Sequence, residues 1–420
     1  MSKKLILPFF LIISLIIPLG RSAERAAGLR SSGSEQVVEK TGVVNVAVSV
    51  RVFDGNNFVN NLTINDFEVY ENNVPQKIEA LYLIGKANIE KKEELQKFNP
   101  ALSRQYYMFF NMIDYDPKLE KAIEHFFNNV IQPGDALSIW TPTENYNLSK
   151  DALQKWEKDE ISKKMNKILR KDIVTGSMQY KSLLRKLGKG IRDIRKALGF
   201  QDPYRTDIDT PISMGGIPVE SLFHNYQSTL QELEKLRSID EEGFIKFAQA
   251  LKEEKGEKIV FYFYQREFKP GIPLGVLNWL MSEQIMDISG IQELFHVYQR
   301  DTHYDVNKIS QAFCDSGILL NFMYIEKKPP SVPGVEFKEQ SEDFFKVFSQ
   351  VSKATGGIVD SSKNPAVGFE NSAKHNDNYY LIYYSPSDYR SDGEFKKIEV
   401  KVLGQDKNYK LAHRQGYIAD

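Results

Sequence analysis

The sequence predicts an α/β protein with a doubly wound, mainly parallel sheet and antiparallel β segments flanking it. Three patterns carry that expectation. Tyr106 to Pro142 reads as buried strand, acidic loop, amphipathic helix, stop and second strand. Helix stripes followed by apolar strands recur between Phe244 and Val359, the alternation that builds βαβ units. Period-two alternation marks both ends, in the valines from Val44 to Val52 and in Ile398, Val400 and Val402.

At the N-terminus, Lys3 and Lys4 precede an apolar run from Leu5 to Leu19, short for a membrane span and suited to a secretory h-region. Residues 1–22 are therefore expected to be a signal peptide and the protein to be exported, periplasmic or secreted, with an uncleaved anchor as the alternative. No cysteine follows the run, which argues against a lipid-modified N-terminus. A polar spacer is expected over 23–41. The chain has 55 basic and 56 acidic side chains, and losing Lys3, Lys4 and Arg21 would leave it mildly acidic. No global basic excess argues for nucleic acid, so an electrostatic partner must use a local patch.

Residues 42–85 form a small β segment. The valines alternate with Asn45, Ala47, Ser49 and Arg51, a turn follows at Asp54-Gly55-Asn56-Asn57, and Phe67 to Glu71 and Ile78 to Ile84 read as further strands. So short a segment has little core of its own and must lean on another. The expected partner is the C-terminal β extension, 376–420, with strands at Tyr379–Tyr384, Ile398–Val402 and Tyr409–Tyr417.

Between them, 104–360 reads as the α/β domain. Tyr106 to Ile113 lacks alternation, as a strand covered on both faces should. Leu119, Ala122, Ile123, Phe126, Phe127 and Val130 recur at helical spacing after Asp116 and Pro117, a cap and a first helical residue, and Pro133-Gly134 stops the helix. Phe244, Phe247, Ala248 and Leu251 follow the cap Asp240 and lead to the strand Ile259–Tyr264. Asp305, Ile309, Ala312 and Phe313 lead to Ile318–Ile325, and Phe344, Phe345, Phe348 and Val351 to Gly356-Gly357 and Ile358-Val359. A charged, helical insertion over 150–235 interrupts the rhythm and contains a long loop from Gly199 to Pro218.

Ligands of open parallel sheets bind beyond the carboxyl ends of the strands, which places Asn111, Asp114 and Asp116 after one strand and Gln265, Arg266 and Glu267 after another on a candidate binding edge. Arg266 is expected to neutralise Asp114 and Asp116 in the space a cation would fill. The other reading is that Asp116 caps its helix while Asp114 and Arg266 are solvated. A second surface lies on Lys181 to Leu198. Leu184, Leu187, Ile191, Ile194 and Leu198 form one face, and seven basic residues including Arg185, Lys186, Lys189 and Arg192 stand against Asp193 alone. Such a helix docks on an acidic protein or makes a peripheral contact with an anionic membrane, unless its basic face is simply solvated.

Enzyme signatures are absent. The six histidines include no His-Glu-x-x-His pair, no serine elbow or catalytic cysteine motif occurs, and Gly356-Gly357 reads as a helix stop. Cys314, the sole cysteine, excludes an intrachain disulfide and reads as a buried thiol.

The stretch around Asp114 resembles the first motif of von Willebrand factor A (VWA) domains, where Asp-x-Ser-x-Ser binds a divalent cation. Read from Asn111, the three positions hold Asn, Ile113 and Tyr115; read from Asp114 they hold Asp, Asp116 and Lys118. Neither register supplies an acid with two hydroxyls. The chain as a whole resembles the VWFA-related (Acidobacterial-type) secreted proteins. Val48 to Leu81 with Asp66–Glu71, Tyr226 to Phe263, Ala354 to Asp360, Tyr379 to Pro386 and the ending at Ala419 carry the likeness. The resemblance implies a VWA-like domain with a β extension that binds a protein partner at its cation-bearing edge, and it does not imply an enzyme; the missing hydroxyls make the metal-ion-dependent adhesion site (MIDAS) read as degenerate, with no cofactor expected. After Tyr264, where VWA domains commonly carry an Asp, this chain has Gln265, Arg266 and Glu267. The alternative is a magnesium- or calcium-dependent adhesion domain in which Ser228 or Thr229 supplies the missing hydroxyls.

Overall fold

The computed structural model describes residues 44–149, 153, 157–199, 219–237, 239–282, 304–333, 335–361, 364–403 and 409–420. The expected signal peptide, the polar spacer and the loop after Gly199 lie outside the described residues.

The two ends of the chain build one β-sandwich. Strands β1 (Val46–Asp54), β2 (Asn57–Phe58), β3 (Phe67–Glu71), β4 (Val74–Gln76), β5 (Ile78–Gly85) and β6 (Asn88–Glu94) come from the N-terminal side; β15 (Asn378–Tyr384), β16 (Phe395–Val402), β17 (Lys410–Ala412) and β18 (Gly416–Ile418) close the chain. One sheet runs β17-β1-β15-β5-β6, with β2 on β1, and the other β18-β16-β3-β4. Strand β15 inserts between β1 and β5, pairing antiparallel with each; Val46 faces Tyr384 and Val50 faces Tyr380. The reason is visible in β1. Val46, Val48, Val50 and Val52 all turn to one face, where Leu81, Tyr380, Ile382, Ile398 and Val400 complete a core that neither end could assemble alone. The N-terminal segment extends past Gly85 through β6, a strand rich in Lys and Glu whose polarity hid it and whose exposure suits a sheet edge.

The central sheet has the order β14-β12-β10-β7-β8-β9. Its strands are β7 (Arg104–Asn111), β8 (Ala136–Trp140), β9 (Asn145–Leu148), β10 (Glu257–Gln265), β12 (Ile318–Ile325) and β14 (Val359–Asp360), all parallel except the edge strand β9. Tyr106, Met108 and Phe110, with Ile259, Phe261 and Phe263, face α1 (Lys118–His125, continued by a π-helical turn, Phe126–Val130), α2 (Lys158–Gly176) and α9 (Pro365–Asp377). Tyr107, Phe109, Val260 and Tyr262 face α5 (Glu241–Leu251), α7 (Val306–Asp315) and α8 (Glu342–Ala354) on the other side. Burial on both faces explains the continuous apolar runs in β7, β10 and β12. The cap at Asp240 falls where the sequence placed it, accepting from the Gly243 amide, and Asp305 caps α7 in the same way by accepting from that of Lys308. Gly356 ends α8 with φ +79°, and a Cβ there would press on the His413 backbone, so the helix stop also lets the C-terminal segment approach.

The insertion does more than interrupt. Helix α2 lies on the sheet face, and α3 (Met178–Ala197) and α4 (Val219–Leu236) pack together through Leu183, Leu187, Ile191, Tyr226, Leu230 and Leu233. That pair also packs on Ile113, just past β7, and on Ile272 and Val276 around β11 (Phe268–Gly271), which pairs with β13 (Glu336–Glu339), and α6 (Leu274–Ser282). The insertion therefore sits on the carboxyl end of the sheet. Among the described residues no helix is long and apolar enough to cross a membrane.

Candidate functional site

Strands β7 and β10 lie side by side, but the chain leaves them toward opposite faces: β7 leads to α1 on one side, and the route from β10 reaches β12 through α7 on the other. Between their carboxyl ends the backbone parts, giving the crevice where such sheets accept ligands. A cavity of about 60 Å³, room for a few waters, lies here, with Asn111, Tyr180, Arg237, Tyr262 and Glu267 among its walls.

Asp114 stands beside the crevice, its side chain 42% exposed, with two ammonium groups on it. Lys181 Nζ, from the first turn of α3, lies 2.8 Å from Oδ1, and Lys327 Nζ, just past β12, bonds Oδ2. Partial burial pushes this carboxyl up, but the two lysine hydrogen bonds outweigh it and hold the group below the usual carboxylate range. The loop beneath is fixed by Gln265, whose Oε1 accepts from the backbone amides of Ile113 (3.2 Å) and Asp114 (2.8 Å). Asn111 donates to the Tyr262 hydroxyl at 3.2 Å.

Arg266 does not make the expected pairing with the aspartates. It bonds Glu339 across the two-stranded β11–β13 sheet and lies over the Phe268 ring, because the strand register brings Phe268 opposite Glu339. Asp116 behaves as a local turn residue: its Oδ1 accepts from the Lys118 amide at 2.9 Å at the entrance to α1. Gln265 and Glu267, expected on an open edge, are only 5% and 6% exposed: Gln265 lies against the Ile113–Asp114 loop, and Glu267 among Tyr180, Arg237 and Tyr264. Ser228 and Thr229 lie within α4 rather than on a loop at the crevice, and the Thr229 hydroxyl donates to the Asn225 carbonyl.

Glu267 is the centre of a buried polar cluster that sequence reading missed. Its Oε2 accepts from Arg237 Nε and from the Tyr180 hydroxyl (3.1 Å), and its Oε1 from the Tyr264 hydroxyl (3.0 Å). Arg237 also donates to the Gln340 carbonyl at 2.6 Å and lies over the Phe344 ring. Burial works against the Arg237 charge, yet Glu267 beside it keeps the guanidinium protonated well above its ordinary range. The same burial, reinforced by Glu267, raises the Tyr180 hydroxyl well above its ordinary value. The cluster ties α3 and α4 to the end of β10. Lysines at 181 and 327 and the arginine at 237 carry no motif; the one available signal was that Lys327 follows the parallel strand β12 at the same end as Asp114.

A divalent cation finds a poor donor set here. Gln265 Oε1 and Asp116 Oδ1 already accept from backbone amides, and two cations adjoin Asp114. Magnesium needs near-octahedral oxygen ligands. Among the described residues no group of three or more His, Cys, Asp or Glu side chains is placed to hold an ion.

Arg185, Lys186, Lys189 and Arg192 are all exposed on the outer face of α3. Cys314 is buried, its thiol donating to the Ala354 carbonyl at 3.1 Å, and burial pushes it up to about 11. Comparison with protein-family models, with curated proteins and with solved structures gave no match.

Proposed function

We propose that this chain is an exported, non-catalytic protein-binding module built on a doubly wound, VWA-like α/β domain whose metal-ion-dependent adhesion site is degenerate. One observation carries the reading: the ammonium groups of Lys181 and Lys327 converge on Asp114 beside the strand-end crevice, supplying the positive charge a bound cation would otherwise bring. A partner then meets a protein surface rather than an open coordination site. Helix α3 contributes Lys181 to that ion pair and exposes Arg185, Lys186, Lys189 and Arg192 on the same helix, so the complementary partner is an acidic protein segment.

The test has two arms. Millimolar magnesium or calcium is expected to leave the melting temperature unchanged at matched ionic strength; a saturable rise with either ion sinks the metal-free reading. In the second arm, crosslinked partners are captured from the native envelope with the wild type and with a variant carrying Gln at positions 185, 186, 189 and 192. Loss of an acidic partner in the variant supports the reading. Unchanged capture, or loss of binding to anionic vesicles alone, overturns it.

A further inference from the structure

At the opposite end of the central sheet, the amino ends of β10 and β12 meet strands β1 and β15 of the sandwich. A cavity of about 280 Å³ lies in this junction, close to the lower bound of small-molecule sites. Six charged residues line it: Arg51, Lys252, Glu257, Lys258, Asp315 and Arg414. Exposed Ala101 and partly exposed Lys252 are also in the lining, so small solutes reach it from water.

The charges do not cancel. Glu257 pairs with Arg51 at 3.0 Å, and Lys252 pairs with Asp315 at 2.8 Å and also with Asp420, which lies outside the lining. That leaves Lys258 and Arg414 without a carboxylate in contact among the described residues. Lys258 Nζ donates to the Ser316 carbonyl at 2.7 Å, and Arg414 donates to the carbonyls of Cys314 (3.0 Å) and Ala47 (2.8 Å). Two of these carbonyls belong to the end of α7, whose dipole supplies about half a negative charge, short of two positive ones. Donors are left over as well. Arg51 is 2% exposed and its Nε has no hydrogen-bond partner. Tyr379, 4% exposed and stacked under the Arg51 guanidinium, has no hydrogen bond from its hydroxyl among the described residues.

We infer that this junction cavity binds a small oxyanion carrying two negative charges, of the kind represented by inorganic phosphate. The anion is held by Lys258 from the sheet and by Arg51 and Tyr379 from the sandwich, so it bridges the two halves of the molecule. The ordinary consequence of an uncompensated cation is present: burial, then the neighbouring Arg414, lowers the Lys258 amine to about 8. An anion in the cavity reverses that pressure. This site is remote from the α3 surface and does not depend on the reading of that surface.

The test is calorimetric titration of the full chain with phosphate at constant ionic strength, near neutral pH. One saturable site is expected. Lys258→Met is expected to weaken it about tenfold or more, the scale of a hydrogen bond to a charged group, and Tyr379→Phe by a smaller but measurable factor. The variant neutralised at 185, 186, 189 and 192 is expected to bind as the wild type does. Absence of saturable binding overturns the inference, as does equal affinity in Lys258→Met or Tyr379→Phe, or loss of binding in the helix variant. Should Lys258→Met fail to fold, Tyr379→Phe decides, because it removes one oxygen and leaves the ring beneath Arg51.

Discussion

Lys181 reaches Asp114 across the boundary between the helical insertion and the sheet, its Nζ 2.8 Å from Oδ1. The contact joins the insertion to the loop that follows β7, so the segment that interrupts the α/β rhythm also sets the charge at the carboxyl end of the sheet.

That ion pair fixes a pH dependence. The folded-state pKa of Asp114 is depressed below 3.8, so its contribution to stability is fully present above about that pH and fades as pH falls through the folded value. Asp114→Asn is expected to lose the wild type's extra acid sensitivity in this window, with a cost near neutral pH within about 1 kcal/mol because the pair is screened by solvent. Identical acid-unfolding curves for the two proteins would contradict this.

The Glu267–Arg237 pair is far less exposed. Arg237→Met leaves a buried carboxylate without its guanidinium and is expected to cost about 3–5 kcal/mol in urea unfolding. Arg237→Met combined with Glu267→Met removes both charges and is expected to cost less than the single change. A double variant less stable than Arg237→Met would show that the cluster's hydrogen bonds, not its charges, hold the β11–β13 sheet down.

Helix α9 tests the core. Phe369 is fully buried and its ring meets those of Phe126, Phe261 and Phe263. Phe369→Ala is expected to destabilise the protein by about 3–5 kcal/mol. A loss below about 1 kcal/mol would mean that α9 is not part of the sheet's packing.

Where local pattern and burial agree, the elements were readable. The apolar runs of β7, β10 and β12, the cap Asp240, and the alternating valines of β1 each follow from which faces those residues must hide. Where they disagree, reading failed: β6 is too polar to look like a strand, and α9 has a weak apolar stripe, although Asn364 and Pro365 do mark its start. The candidate edge was legible as a place but not as a surface, because nothing near Gln265 or Glu267 announces that distant residues such as Tyr180 and Arg237 will close over it.

By itself, the sequence determined the alternation of strands and helices, the period-two strands at both ends, the position of the acidic loop after β7 and the basic face of α3, since each depends on neighbours a few residues apart. Only the tertiary structure decided that β15 would slot between β1 and β5, that Lys181 and Lys327 rather than Arg266 would meet Asp114, and that four cations would line the junction cavity. Those outcomes join residues far apart in the chain, and charge pairing is chosen by which side chains the packed sheets bring within a few ångströms, a distance that no local spacing encodes.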